Sequence, residues 1–135
     1  MKFNLSIITP EKKAYQDDVD EVVAPTEAGE VGILAQHSPF LAKLVPGEVQ
    51  IKKGDKIESM AVTGGFLEVS NNKMTLLADY AVAAKDIDVI KAEQAKKRAE
   101  KLMSEKISDV DYADLEKEFA RSLAELKVAR KYKPR

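Results

Sequence analysis

After Gly65 this chain contains no further glycine, and its only later proline is Pro134. These two residues punctuate structure: glycine reaches backbone angles closed to other residues, while proline fixes φ and lacks an N–H. A chain that loses both midway must change from short, frequently turned elements to long uninterrupted ones. Charge changes at the same place. Residues 1–84 hold 8 Lys and no Arg against 12 acids, net −4, whereas residues 85–135 hold 14 Lys and Arg against 11 acids, net +3. The boundary between the two regimes falls at Ala84–Lys85 and divides the chain into domains 1–84 and 85–135.

The first part reads as strands. Phe3, Leu5 and Ile7 alternate with polar residues, the period of a half-buried strand. Further short runs rich in β-formers follow at Val19–Ala24, Val31–Leu34, Val49–Lys53, Ile57–Val62, Phe66–Val69 and Met74–Ala78. Turn signals separate them at Glu27-Ala28-Gly29, Pro46-Gly47, Lys53-Gly54-Asp55, Thr63-Gly64-Gly65 and Asn71-Asn72. No helix-length segment intervenes, so the expectation is an antiparallel sandwich or barrel.

The second part changes to helical spacing. Asp86 is placed to cap a helix with Ile87, Ile90, Ala95, Ala99 and Leu102 on its apolar side, widened by Ala92 and Met103. A polar break at Glu105–Ser108 follows, and Ser108 with Asp111 makes a reduced capping box. The next helix is expected to carry Tyr112, Leu115, Phe119, Leu123 and Leu126 on one face. Two such helices with a short link form an antiparallel hairpin. Alanine-rich faces bury little apolar area, so this hairpin is expected to be less firmly held than the β domain.

Several chemistries are excluded. There is no cysteine, which removes disulfides, thiolate metal sites and cysteine nucleophiles, and a single His37 cannot build a multi-histidine metal site. The net charge of −1 lacks the basic excess that nucleic-acid binding requires. No apolar run approaches the ~20 residues of a membrane helix, and the N-terminus lacks the apolar core of a secretory signal. His37 beside Ser38 has neither a third triad member nor a nucleophile elbow, so it reads as a structural or interface histidine, and no catalytic residue is assigned. Gly29-Glu30-Val31-Gly32 lacks the Gly-Lys-Ser/Thr ending of a phosphate loop. Asp17-Asp18-Val19-Asp20-Glu21 lacks the calcium-loop pattern and reads as a solvated turn; no metal site is expected. Arg121, Lys127, Arg130, Lys131, Lys133 and Arg135 form either a solvated face suited to a helix C-terminus or a surface for docking an acidic protein.

Three sets of residues together carry a resemblance. These are Gly29-Glu30-Val31-Gly32-Ile33-Leu34 followed by His37 and Pro39; Gly64-Gly65-Phe66-Leu67-Glu68-Val69; and Ile8-Thr9-Pro10 with Tyr15 and Asp17-Asp18-Val19. With Asp86-Ile87-Asp88 they resemble, in order and spacing, the epsilon subunits of bacterial F-type ATP synthases. Ala35 departs from the pattern, since many members have a proline there. The resemblance implies a ten-stranded β-sandwich followed by a two-helix hairpin. It also implies a non-catalytic part of the central stalk that binds the gamma subunit and the c-ring, reaching the membrane only through the complex. Its expected place is the cytoplasmic face of a bacterial membrane. Glu30 and His37 are then expected toward the c-ring and gamma. The hairpin becomes a regulatory arm, with Arg121, Lys127 and Arg130 meeting the alpha/beta catalytic head when it extends. About 45 residues of helix reach on the order of 65 Å.

The resemblance also raises a nucleotide. Some bacterial members hold ATP in the folded hairpin through Ile/Leu-Asp-x-x-Arg-Ala, which here reads Ile87-Asp88-Val89-Ile90-Lys91-Ala92, supported by Arg98 and Arg121. Lys91 lacks the planar fork of arginine. By alignment Val82 replaces a family glutamate, and Glu125 replaces a further arginine and brings negative charge toward the phosphates. The expectation is weak or absent ATP binding, with no cofactor required. The alternatives are a switch in which ATP is the main signal, and an unrelated β-sandwich interaction module.

Overall fold

In β1 (Phe3–Ile8) the alternation seen in sequence becomes a two-sided strand, with Phe3, Leu5 and Ile7 buried. The computed structural model describes residues 1–105 and 112–132. The strands that follow are β2 (Lys13–Val19), β3 (Glu21–Thr26), β4 (Gly29–Leu34), β5 (Phe40–Leu44), β6 (Gly47–Lys53), β7 (Lys56–Ser70) and β8 (Lys73–Ala83). Their hydrogen-bonded order is β2-β1-β8-β7-β5-β3-β4, with β6 joined to β3 and β7. The pairings are antiparallel apart from β1 with β8, which is parallel.

Eight strands here do the work of the ten that the resemblance implies, because β7 and β8 each run through both layers. Residues 56–62 of β7 pair with β6, and residues 65–69 pair with β5. The sequence places two strands there with a turn at Thr63–Gly65. The strand is instead continuous, and its glycines form a bend. Gly65 sits at φ +120°, where a Cβ would stand 2.0 Å from the Leu77 carbonyl oxygen. Only glycine permits that approach. The layers enclose a core in which Leu5, Ile7, Val19, Val22, Ile33, Leu44, Val49, Ile51, Val62, Leu67, Met74 and Leu76 are fully buried.

Two strands lie where the hydrophobic pattern marks none, although the resemblance implies a first hairpin that β1 and β2 form. β2 carries Lys13, Gln16, Asp17 and Asp18, and β5 is a short run directly after Pro39. The acidic cluster is likewise more than a solvated turn. Asp17 pairs with Lys53, and Asp20 accepts from the Gly54 N–H at 2.6 Å and from Lys2 Nζ at 3.2 Å. These bonds tie the β2–β3 corner to the β6–β7 hairpin. The Lys53 hydrogen bond holds the Asp17 carboxyl below the usual aspartate range.

A single 3₁₀ turn, Ala84–Asp86, leads into α1 (Val89–Glu105), and α2 (Tyr112–Tyr132) returns antiparallel to it. The helix cap is Asp88 and not Asp86. Asp86 is used up in the turn, while Asp88 Oδ1 accepts from the Lys91 N–H at 3.1 Å. Ser108 and Asp111 lie outside the described residues.

The buried faces also differ from the simple periodic reading. Ile90 is 67% exposed and Leu123 is 43% exposed, whereas Ala92, Ala99, Leu115, Ser122, Ala124, Leu126, Val128 and Ala129 are buried. The cause is the packing order: α1 rests chiefly on α2, and α2 rests on β6 and β7. α2 therefore buries two sides at once, using small residues, and its larger Leu123 is left on the remaining side.

Candidate functional site

The hairpin meets the sandwich on a patch of small apolar side chains. Ala124, Val128 and Ala129 of α2 pack with Ala61, Ala84 and Ile87, with Val82 and Val89 at the margin. This cluster is separate from the sandwich core. Contact through alanine gives close approach but modest apolar area, so polar contacts at the edges carry proportionately more weight.

One polar contact stands beside the bend. The Arg121 guanidinium lies 3.6 Å from the centroid of the Tyr80 ring, a cation–π arrangement. Tyr80 donates its hydroxyl hydrogen to Glu125 Oε2 at 2.7 Å, and Arg121 Nε stands 4.0 Å from the same oxygen. Burial, and then the Glu125 carboxylate, push the Tyr80 hydroxyl up, opposed by Arg121. The second contact lies at the C-terminal end of α2. Lys131 Nζ donates to Glu48 Oε1 at 2.8 Å, and Ser59 Oγ donates to Glu48 Oε2 at 2.7 Å. Glu48 is only 5% exposed. Burial pushes its carboxyl up, but the hydrogen bonds from Lys131 and Ser59 outweigh that and hold it below the usual glutamate range.

Between hairpin and sandwich runs a groove of about 1260 Å³ whose lining includes Asp79, Tyr80, Asp88, Lys91, Arg121 and Glu125. Of the residues that the resemblance assigns to ATP, the groove brings together Asp88, Lys91, Ala92 and Arg121. It does not include Ile87, which is buried in the alanine patch, or Arg98, which bonds Glu118 at 2.8 Å and ties α1 to α2. Glu125 occupies the groove wall with its carboxylate already engaged by Tyr80. Lys127 and Arg130 are exposed on α2. Glu30 and His37 are not neighbours. Glu30 is the second residue of β4, opposite Pro25, while His37 follows the strand's far end, its ring 5.9 Å from that of Phe40 and its Nδ1 2.7 Å from the Ser38 carbonyl oxygen.

The outer face of the other layer carries an apolar stripe. Phe66 pairs directly with Leu77, Lys43 lies opposite Phe66, and Leu41 is two residues along β5. Leu41, Phe66 and Leu77 are 71%, 53% and 54% exposed, and half-buried Ile8 pairs with Leu77 from β1. Exposed apolar residues that are contiguous, not scattered, mark an interaction surface. Sequence reading missed this stripe, and it missed Tyr80, Glu48 and Ser59. All depend on which strands become neighbours.

Among the described residues no group of three or more His, Asp or Glu is arranged to hold a metal ion, and no helix is long and apolar enough to cross a membrane.

Comparison with known proteins gives the same pattern over residues 2–130. Residues 2–84 match the family model for the ATP synthase delta/epsilon chain beta-sandwich domain, and residues 85–130 match that for its long alpha-helix domain. The ATP synthase epsilon chain of Thioalkalivibrio sulfidiphilus is 43% identical over 133 residues, covering 97% of this chain and 94% of that one. The epsilon chain of Syntrophobacter fumaroxidans is 42% identical, with 96% and 97% covered. Among solved structures, a chain of the Euglena gracilis mitochondrial ATP synthase (OSCP/F1/c-ring) shares the fold with a TM-score of 0.80 at 23% identity, covering 95% of this chain and 81% of that chain. With sandwich, hairpin and sequence all in agreement, the chain belongs to the ATP synthase delta/epsilon family and is an epsilon chain within it.

Proposed function

We propose that this chain is a non-catalytic stalk subunit of an F-type ATP synthase, peripheral to the membrane through that complex and on its cytoplasmic face in a bacterium. The sandwich docks on the gamma subunit and the c-ring, and the hairpin is a detachable arm that slows ATP hydrolysis at the alpha/beta head. The observation that supports this most is the division of labour between the two faces of the sandwich. One outer face presents the uncovered stripe of Leu41, Phe66 and Leu77, suited to a permanent partner. The other is covered by a hairpin seated on alanines and edged by two polar clasps, suited to reversible contact. Small side chains fit several partners at similar cost, as a two-state element requires.

In this reading Glu30, in β4, and His37, beyond its far end, both belong to the contact with the c-ring and gamma. Arg121, Lys127 and Arg130 reach the head when the hairpin extends, and Arg121 must first leave Tyr80. The groove does not suit a tightly held nucleotide. Lys91 offers no planar fork, and a carboxylate in the groove wall, that of Glu125, would repel phosphate charge. ATP is at most a weak regulatory ligand.

The test of docking is Phe66→Asp. Measured by surface plasmon resonance against a gamma-containing head lacking its epsilon subunit, this variant loses affinity at least tenfold, while Ile90→Asp on the exposed side of α1 leaves it unchanged. Equal binding by both variants would remove the stripe from the partner surface.

A further inference from the structure

Glu48 is an anomaly on its face. It lies on β6 opposite Ala61, at the edge of the patch that α2 covers, and it is the one carboxylate among the described residues buried below a tenth exposure. The apolar patch that includes its strand partner Ala61 is made of alanine, valine and isoleucine. Inside this contact its two oxygens are matched separately, Oε2 by Ser59 of β7 and Oε1 by Lys131 in the last turn of α2. Ser59 belongs to the sandwich and stays with Glu48 whatever the hairpin does. Lys131 departs with α2. On the reading of the hairpin as a detachable arm, the movement that brings the cation also covers the carboxylate.

We propose that Glu48 and Lys131 form an ionic latch that sets how much of the hairpin is docked, so that release is governed by the charge of this pair. The inference rests on reading the hairpin as a detachable arm and adds what holds it. A buried carboxylate deprived of its cation penalises only the state in which it is buried, here the docked one. The alanine patch supplies little area to override that penalty. Lys131 keeps about half its side chain in solvent, so ions reach the pair and weaken it. Glu30 adds negative charge that favours the Lys131 ammonium, and Gln50 adds a neutral partner to Glu48. The latch closes the C-terminal end of α2. The Arg121–Tyr80–Glu125 contact lies ten residues earlier, about 15 Å along the helix, so the two clasps bracket the patch.

The chain has no cysteine, so a cysteine pair placed at Asp55 and Leu123 carries two spin labels without background. Pulsed dipolar spectroscopy on the full chain then reads the docked and released populations. Three variants are compared. Lys131→Gln leaves the carboxylate buried without its cation, and Glu48→Gln with Lys131→Gln removes the charge penalty as well. Val128→Asp places a charge in the alanine patch and serves as a positive control for release. The expected result is a shift of about tenfold or more toward the released state for Lys131→Gln, most of it recovered in the double variant, and a smaller shift of the unsubstituted chain in 1 M salt. Release by Val128→Asp without release by Lys131→Gln would overturn the latch and leave the detachable arm standing. A double variant released as far as the single one would overturn it too, because the buried charge would then not be the cause. A hairpin that stays docked in all three would overturn both the latch and the arm.

Discussion

Arg121 lies with its guanidinium 3.6 Å above the ring of Tyr80, and the hydroxyl of that same ring is bonded to Glu125, one helical turn beyond Arg121 on α2. One strand residue thus joins two α2 residues of opposite charge. In the proposed function Arg121 meets the catalytic head after extension, so docking and inhibition compete for it. Arg121→Ala is expected to loosen docking by about 1 kcal/mol, and Arg121→Lys to restore part of it, because an ammonium keeps the charge without the stacking plane. Hydrogen-exchange protection of α2 amides measures both.

Glu125 makes a second expectation concrete. The chain titrated with ATP in a calorimeter should give no saturable isotherm in the micromolar range. Replacing two of the three departures from the family pattern, Lys91→Arg with Glu125→Arg, should strengthen binding at least tenfold, since a repulsive carboxylate becomes a guanidinium and the missing fork is supplied. A tight, saturable isotherm from the unsubstituted chain would overturn the expectation of weak or absent binding.

The pH dependence of docking follows from three groups. The Glu48 carboxyl is held below its usual range when docked, so its contribution is complete above that range and is lost as pH falls through the lowered value. The Glu48 hydrogen bond pushes the Lys131 ammonium up, and burial pushes the Tyr80 hydroxyl up. Their contributions are present below the usual lysine and tyrosine values and are lost as pH rises through the raised ones. The docked fraction should be flat through neutrality and fall at both extremes, with Glu48→Gln removing most of the acid limb. The spin-labelled chain, titrated from pH 3 to 12, reads this directly.

Gly65→Ala should be the most damaging single methyl in the sandwich. Its Cβ would stand 2.0 Å from the backbone of Leu77 at φ +120°, so β7 and β8 must separate. A loss of about 3 kcal/mol or more is expected in urea unfolding. Gly29→Ala, at φ +110° with nothing within 4 Å, should cost only the backbone strain of about 1 kcal/mol.

The sequence revealed what local period encodes. The alternation of Phe3, Leu5 and Ile7 and the spacing of Ala92 and Ala99 lead directly to β1 and to the buried side of α1. It misled where long-range packing decides. Gly64-Gly65 has the composition of a turn, yet it is a bend, because β7 continues from one layer into the other. β2 was hidden by its polar residues, which point outward or bind Lys53. Ile90 and Leu123 fit a helical stripe but face away from the neighbours that each helix has. At the site, Asp88, Lys91, Ala92 and Arg121 were legible through the resemblance. Tyr80, Ser59 and Glu48 were not, since a tyrosine, a serine and a glutamate on strands have no local mark of a helix that packs on them.

In the proposed function the sandwich binds and the hairpin brakes. The most direct measurement titrates the full chain, and a version ending at Ala84, into a gamma-containing catalytic head lacking its epsilon subunit, following binding and ATP hydrolysis together. Both versions should bind with similar affinity, and only the full chain should lower the hydrolysis rate. Equal inhibition by both would contradict the braking role of the hairpin, and failure of the shorter version to bind would contradict docking by the sandwich.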